Sequence, residues 1–174
     1  MSIFATVGST QFDDLIEIVT SLEFIDMLTE NNIQSLTVQH GSSTPSHHSI
    51  SLINSYSSFN SSLPKIELFN YKNDITEFFN KADLIISHAG SGSIINALQA
   101  GKPIVVVANR KLMDNHQVEL ASELSSEQIT STQPANLLEV VKNLLQNKRI
   151  TVNNFKSFKS NKNIKKLKDI IMNM

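Results

Sequence analysis

The sequence predicts a single α/β domain built on a doubly wound parallel sheet. Short β-prone apolar runs alternate with stretches whose apolar residues recur every three or four positions, and this alternation is typical of parallel sheets covered by helices. The run at 84–87 is apolar over its first three residues, as expected for a strand that is buried on both faces. The length of 174 residues fits one domain of ordinary size.

The first half of the chain contains three predicted strands, which are 3–7, 35–40 and 66–69. Residues 12–28 carry apolar side chains at helical spacing, and this spacing predicts one helix. Residues 41–62 differ, because ten of these 22 residues are serine and few of them suit a core. We predict a solvated loop over 41–62, with a weak helix over 50–56 as the alternative.

The second half continues the alternation of strands and helices. Its predicted strands are 84–87, 104–108 and a short strand at Ile129. Its predicted helices are 74–79 with Asp74 as the cap, 94–100, 115–124, and 134–145 with Pro134 in the first turn. We therefore predict a domain over 1–148, followed by a lysine-rich, basic amphipathic C-terminal helix or tail over 149–174. Such a tail is most often a solvated helix face, and docking to a partner or to an anionic membrane surface is the alternative.

Composition excludes several functional classes. A net charge of −1 gives no electrostatic reason to expect a nucleic-acid partner. The absence of cysteine excludes a disulfide scaffold and a thiolate metal site. Every apolar run is shorter than the roughly 18–20 residues of a membrane-spanning helix, and the N-terminus is typical of a first strand rather than a signal peptide. We expect a cytoplasmic protein that another component holds wherever it works at a membrane.

The strongest candidate binding segment, 88–93, follows the fourth predicted strand and opens a helix. It supplies five candidate ligand-binding residues, which are His88, Gly90, Ser91, Gly92 and Ser93. Glycine lets a backbone approach a ligand closely, and the free amides of a first helical turn favour an anion. A tight strand–helix turn without a ligand is the alternative. The spacing is a poor dinucleotide fingerprint, whose third glycine would fall at Ile95.

Two further segments follow strands at the same predicted sheet edge, where ligands bind in open α/β sheets. The first is the turn made by Gly8, Ser9 and Thr10. The second follows Asp114 after the fifth strand, and its members are Asn115, His116 and Gln117. The first turn would line one side of a site for a phosphate group. The second suits sugar hydroxyls, because amides and imidazole both donate and accept. A plain turn and a helix N-cap are the respective alternatives.

No other motif indicates catalysis. His40, His47 and His48 lie in the serine-rich stretch and show no metal-ligand spacing. The order of residues contains no readable Ser/His/Asp triad, P-loop or pair of carboxylates near the candidate turns. Hydrolase and kinase chemistry therefore have no support in the sequence.

Taken together, the candidate segments resemble one enzyme family. The matching segments are 6–13, 71–72, 82–83, 87–93, 97–98, 101–103 and 112–117. Over roughly residues 1–145, the chain resembles the catalytic subunit of the eukaryotic UDP-N-acetylglucosamine transferase that adds the second sugar to the dolichol-linked oligosaccharide precursor, in glycosyltransferase family 28. That subunit is similar to the C-terminal half of the bacterial transferase that forms lipid II.

The resemblance implies a Rossmann-like domain that is the nucleotide-sugar-binding half of a GT-B glycosyltransferase. A complete GT-B enzyme needs two such domains, and 174 residues suffice for one. In this family a membrane-anchored partner binds the acceptor, forms a heterodimer and recruits the soluble subunit to the cytosolic face of the endoplasmic reticulum. The implied reaction transfers N-acetylglucosamine from UDP-N-acetylglucosamine to dolichyl-diphosphate-N-acetylglucosamine, with inversion and only in the complex.

The resemblance also assigns roles by position. Gly8, Ser9 and Thr10 would line the diphosphate together with 88–93. Asn115, His116 and Gln117 would face the sugar and the nearby phosphate. No cofactor or metal is implied, and the general base is expected from the acceptor half, so we assign no catalytic residue to this chain.

The chain departs from the family pattern in two places. Asn96 stands where an acidic residue usually binds the ribose hydroxyls, and a neutral amide loses a charge-assisted hydrogen bond. His40-Gly41-Ser42 stands where Gly-Arg-Gly is common after the second strand. These departures leave a catalytically degenerate docking subunit as the alternative to an active transferase. A Rossmann oxidoreductase that binds NAD(P) is a third hypothesis.

Overall fold

The computed structural model describes residues 1–59, 63–108 and 129–147, and over 56–59 it describes the backbone alone. The strands of this part are β1 (Ser2–Thr6), β2 (Ser35–Gln39), β3 (Lys65–Phe69), β4 (Leu84–His88), β5 (Ile104–Val107) and β6 (Ile129–Thr132). Its helices are α1 (Asp13–Val19), α2 (Leu22–Glu30), α3 (His47–Phe59), α4 (Thr76–Lys81), α5 (Ser91–Gln99) and α6 (Leu137–Gln146). A 3-10 turn at Pro134–Asn136 precedes α6.

The six strands form one sheet in the order β3-β2-β1-β4-β5-β6, and every pair of neighbours is parallel. The order reverses between β1 and β4, so the chain winds outward in opposite directions from these two strands. This doubly wound sheet confirms the predicted α/β class. In such sheets, ligands bind outside the carboxyl ends of the strands at the reversal.

Apolar side chains cover both faces of the sheet. In β1, Ile3 and Ala5 join the core beneath α1, α2 and α6, whereas Phe4 points to the opposite face, beneath α4 and α5. The Phe4 ring stacks on Phe78 with centroids 5.4 Å apart and meets the edge of Phe79 at 5.3 Å. A one-residue slip would exchange these two faces, so burial on both sides fixes the strand register.

The single helix predicted over 12–28 is wrong, because the structure contains two helices, α1 and α2. The break lies at Thr20 and Ser21. Thr20 Oγ1 donates to the Ile16 carbonyl at 2.7 Å, and Ser21 Oγ accepts from the Phe24 N–H at 3.2 Å. A serine N-cap starts a new helix. The apolar spacing nevertheless continues across the break, because both helices pack on the same face of the sheet.

The solvated loop predicted over 41–62 is wrong for most of its length, because α3 occupies His47–Phe59. The helix considered over 50–56 is confirmed and is longer than expected. Hydroxyl groups hold this helix in place. Ser49 Oγ lies 3.1 Å from Thr20 Oγ1 and 3.0 Å from Ser46 Oγ, while Ile53 is buried. The hydroxyl of the buried Ser49 thus has hydrogen-bond partners inside the protein, so a serine-rich helix can pack without a large apolar face.

The remaining predicted elements in the described residues are confirmed with small shifts. β4 extends to His88, and α5 begins at Ser91. Asp74 Oδ1 accepts from the Thr76 N–H at 2.8 Å where α4 begins. The predicted helix at 115–124 and the predicted tail lie outside the described residues, so the division into domain and tail stays a prediction. No helix in the described ranges is long and apolar enough to cross a membrane.

Candidate functional site

The ends of β1 and β4 bring two of the predicted binding segments together. Thr6 pairs with Ser87 in the sheet register, so the turn at 8–10 and the segment 88–93 leave neighbouring strands at the same level. A Cβ built on Gly8 would lie 3.2 Å from Cε1 of His88. The two segments therefore touch at the carboxyl edge, where the strand order reverses.

The Gly8 turn is closed by its own hydrogen bonds. Gly8 has a φ of +64°, in the left-handed region, and its N–H donates to Thr6 Oγ1 at 2.9 Å. The N–H and the hydroxyl of Thr10 both donate to the Val7 carbonyl, at 3.2 and 2.8 Å. The hydroxyl hydrogen of Thr10 is thus used inside the turn, whereas Ser9 stands exposed at the tip.

The turn after β2 packs against the Gly8 turn and is hydrogen-bonded to it. Ser42 Oγ donates to the Ser9 carbonyl at 2.9 Å, and the Ser42 N–H donates to the Thr10 carbonyl at 3.1 Å. Gly41 has a φ of +56°, and a Cβ there would lie 2.4 Å from the Thr10 carbonyl oxygen. The His40-Gly41-Ser42 segment, which departs from the family pattern, therefore supports the first turn through backbone contact.

The imidazole of His88 lies close to two glycines. A Cβ on Gly90 would lie 2.2 Å from Nε2 of this ring, and a Cβ on Gly8 would lie 3.2 Å from its Cε1. Nδ1 of His88 is buried and has no hydrogen-bond partner among the described residues. Gly90 is therefore required by close contact with the ring.

Burial keeps the His88 ring neutral. It lowers the pKa of His88 below the ordinary value of about 6.5, and a weaker interaction with the Thr6 backbone opposes this effect. The unfolded chain therefore binds a proton at His88 more readily than the folded chain. The stability that the neutral ring contributes is present above about pH 6.5 and is lost as the pH falls through the lower folded pKa.

We expect the free energy of unfolding to fall more steeply with acidification in the wild type than in His88→Gln. Glutamine does not titrate, so this variant removes the His88 contribution and leaves the other histidines in place. Urea denaturation of the full chain between about pH 7.5 and about pH 5 measures the difference. Parallel pH profiles for the two proteins would contradict the lowered pKa.

The first turn of α5 offers backbone donors beside the His88 ring. Gly90 is the N-cap residue, with φ −80° and ψ 127°, and no side chain caps the helix. Ser91 and Gly92 are exposed, whereas Ser93 is buried. The first amides of a helix lack intrahelical partners, and together with the helix dipole they favour a bound anion.

Asn96 lies further along α5, in a groove between α4 and α5. The other lining residues of this groove are Thr76, Phe79, Asn80, Gln99 and Ala100. Three of the six lining side chains carry amides, which both donate and accept hydrogen bonds. This lining suits a ligand with several hydroxyl groups.

Sequence reasoning missed a charged group on the same sheet edge. Nζ of Lys72, after β3, lies 4.6 Å from the ring centroids of both Phe69 and Phe78. Such cation–π contacts hold an ammonium group over the rings. Tyr71 beside it is 56% exposed. Because Phe78 belongs to α4, only the fold brings the second ring to Lys72.

Three predicted site residues, Asn115, His116 and Gln117, lie outside the described residues. His40, His47 and His48 form no metal centre. In the described part of the chain, no three His, Cys, Asp or Glu side chains are grouped as ligands for a metal ion. Nδ1 of His40 instead lies 2.8 Å from the Ser43 carbonyl.

Comparisons with known proteins point to one family. Residues 2–174 match the model of the glycosyltransferase family 28 C-terminal domain. The chain is similar to the UDP-N-acetylglucosamine transferase subunit ALG13 of Homo sapiens, with 41% identity over 128 residues that cover 72% of this chain and 10% of the relative. The corresponding subunit of Yarrowia lipolytica is 39% identical over 129 residues, which cover 71% of this chain and 60% of the relative. The match thus spans less than two thirds of either relative.

Solved structures agree with this similarity. A solution NMR structure of ALG13 superimposes with a TM-score of 0.64 at 25% identity, covering 85% of this chain and 86% of that chain. A crystal structure of MurG from Acinetobacter baumannii superimposes with a TM-score of 0.66 at 17% identity, covering 99% of this chain and 50% of that chain. The MurG match indicates the fold alone.

Proposed function

We propose that this chain, which belongs to the glycosyltransferase family 28 C-terminal domain family, is the donor-binding half of a two-chain UDP-N-acetylglucosamine transferase. The observation that carries the proposal is the contact between the Gly8 turn and the segment 88–93 at the reversal of the sheet. In this proposal the two glycine turns and the helix N-terminus line one crevice for the donor. Family membership favours a UDP-sugar there over the NAD(P) of the oxidoreductase hypothesis.

In this proposal the diphosphate of UDP-N-acetylglucosamine lies against the Gly8 turn and the first amides of α5. Asn96 faces the ribose, and Asn115, His116 and Gln117 face the sugar and the nearby phosphate. An acceptor hydroxyl of dolichyl-diphosphate-N-acetylglucosamine attacks the anomeric carbon, and the bond from that carbon to the UDP oxygen breaks with inversion. A base on the partner takes the hydroxyl proton, while fixed donors of this chain stabilise the charge on departing UDP.

The proposal also includes a membrane-anchored partner that binds the acceptor at the cytosolic face of the endoplasmic reticulum. Two observations support a second chain. The relatives are named as subunits of a transferase. In addition, nearly all of this chain superimposes on half of MurG, as expected if this fold is one of two domains in a GT-B enzyme.

Donor binding is tested with the full chain co-purified with its acceptor-binding partner. We expect saturable binding of UDP-N-acetylglucosamine that UDP displaces and NAD does not. The diphosphate and uridine are common to donor and product, so UDP competes for the same crevice. A complex that binds no UDP-N-acetylglucosamine would overturn the proposed function.

We expect Asn96→Glu to tighten UDP binding by about 1–2 kcal/mol, a factor of about 5–30. A carboxylate accepts charge-assisted hydrogen bonds from ribose hydroxyls, whereas the amide of Asn96 accepts neutral ones. Calorimetric titration of the complex with UDP measures the change. Gln99→Glu adds the same charge on the same groove one turn later and is the control. Equal tightening in both variants would show a general charge effect rather than a ribose contact.

A catalytically degenerate docking subunit is the second candidate function. Asn96 favours it, because a missing carboxylate on α5 weakens the proposed nucleotide contact. This candidate predicts assembly with the partner without transfer of sugar. Transfer by the complex would exclude it.

A further inference from the structure

A row of buried polar side chains crosses the sheet directly below the crevice. Gln39, Thr6 and Ser87 are paired neighbours on β2, β1 and β4, and each is at most 1% exposed. Parallel strands covered on both faces are normally apolar throughout. The row is apolar on either side of these three, because Phe69 pairs with Gln39 and Val106 pairs with Ser87. The row ends on β6 at Ser131, which pairs with Val106 and is exposed. Buried polar side chains in this row are thus confined to the two strands at the reversal and to their neighbour β2.

Thr6 joins this row to the Gly8 turn. Its Oγ1 donates to Oε1 of Gln39 at 2.6 Å, and the same oxygen accepts from the Gly8 N–H at 2.9 Å. One buried hydroxyl therefore fixes the amide of the first turn residue and is itself oriented by Gln39. A buried hydrogen bond of this kind is costly to break, because its partners are left without water.

Ser87 likewise holds backbone in place, in the segment that follows β4. Its Oγ donates to the His88 carbonyl at 2.9 Å, and this carbonyl also accepts from the Gly90 N–H at 2.7 Å. The two hydrogen bonds hold the backbone on both sides of the His88 ring. The sheet itself does not need these polar groups, since valine or isoleucine would continue the apolar strands. Departures from local rules of this type are expected where a fold serves a site.

We propose that Thr6 and Gln39 are positioning residues that hold the Gly8 turn in the geometry that receives the donor diphosphate. This inference rests on the proposed function. Neither side chain is assigned a contact with the donor. Thr6 and Gln39 act through the hydrogen bond to the Gly8 N–H. Gly8 has a left-handed backbone conformation and lies against His88.

Thr6→Val tests the proposal, because valine has nearly the same shape and lacks the hydroxyl. Thr6→Ser restores the hydroxyl. Thr20→Val is the matched control, since Thr20 is also fully buried and its hydroxyl donates to the Ile16 carbonyl and lies 3.1 Å from Ser49 Oγ, away from the crevice. Each full-length variant is co-purified with the acceptor-binding partner, and the dissociation constant of UDP and the thermal midpoint of unfolding are measured.

We expect Thr6→Val to weaken UDP binding about tenfold and to raise the donor KM with the acceptor KM unchanged. Thr6→Ser and Thr20→Val should bind UDP as the wild type does, although Thr20→Val also loses thermal stability.

A folded Thr6→Val complex with wild-type UDP affinity would overturn the inference and leave the proposed function intact. A wild-type complex without UDP affinity would overturn the proposed function, and the inference with it. If Thr6→Val does not fold, Gln39→Met tests the same inference, because methionine removes the acceptor of the Thr6 hydroxyl. We expect this variant to bind UDP more weakly, and unchanged UDP binding would contradict the inference.

Discussion

Replacing Gly90 with alanine will reduce sugar transfer by on the order of 100-fold, because the new methyl group occupies the place of the His88 ring. The added Cβ would lie 2.2 Å from Nε2 and 2.7 Å from Cε1 of that ring. The same ring also lies close to Gly8, where a Cβ would lie 3.2 Å from Cε1. Displacing the ring therefore disturbs both turns that we propose to face the diphosphate. The effect is measured as the rate of sugar transfer by the Gly90→Ala complex and as the affinity of that complex for UDP.

A double-variant cycle separates the clash from other effects of the methyl group. We expect Gly90→Ala to lower the free energy of unfolding in the wild-type background. In the His88→Ala background this loss should shrink by about 1–3 kcal/mol, because no ring opposes the new methyl group. UDP affinity should stay low in both backgrounds, since the ring is displaced in one and missing in the other. Equal stability losses in the two backgrounds would contradict contact between the ring and Gly90.

Replacing Gly41 with alanine will have the larger effect on folding, a loss of about 4 kcal/mol or more in the free energy of unfolding. Its positive φ alone costs a residue with a Cβ about 1–2 kcal/mol. The Cβ would in addition lie 2.4 Å from the Thr10 carbonyl oxygen and 2.7 Å from the Gly8 carbonyl oxygen. Both atoms belong to backbone that is fixed by the hydrogen bonds of the two turns, so neither moves away cheaply. Urea denaturation of the full chain measures the loss.

Gly101→Ala is the matched control for this prediction. Gly101 has a φ of +67°, but a Cβ there would meet nothing within 4 Å. We expect a loss of only about 1–2 kcal/mol from the backbone conformation. The difference between the two variants therefore measures the packing of the turn after β2 against the Gly8 turn. Similar losses at both positions would contradict that packing.

The alternation of strands and helices and the shared edge of the binding segments could be predicted from the sequence. Short β-prone runs alternate with helical spacing, and parallel winding places the residues after every strand at one edge. The turn at 8–10 and the segment 88–93 were therefore expected to be close, and the structure brings them into contact. What spacing could not predict is the contact of the His88 ring with two glycines about 80 residues apart in the chain.

The missed features depend on contacts between distant residues. The apolar spacing in the sequence does not indicate the break at Ser21, because that spacing is continuous from α1 to α2. The helix α3 depends on a hydroxyl contact between Thr20 and Ser49, and composition alone favours a loop. The pair of Thr6 and Gln39 left a visible signal, namely a polar residue at the carboxyl end of each of two neighbouring strands. That signal indicates function only once the register places the two residues side by side.

We propose that this chain supplies the donor half of a two-chain transferase. This role is tested most directly by transfer of N-acetylglucosamine from UDP-N-acetylglucosamine to a dolichyl-diphosphate-N-acetylglucosamine analogue, with the chain alone and with the membrane-anchored partner co-expressed. We predict turnover only with both chains present, and no turnover by the partner alone. A correctly assembled complex that transfers no sugar would contradict the claim and favour the docking subunit.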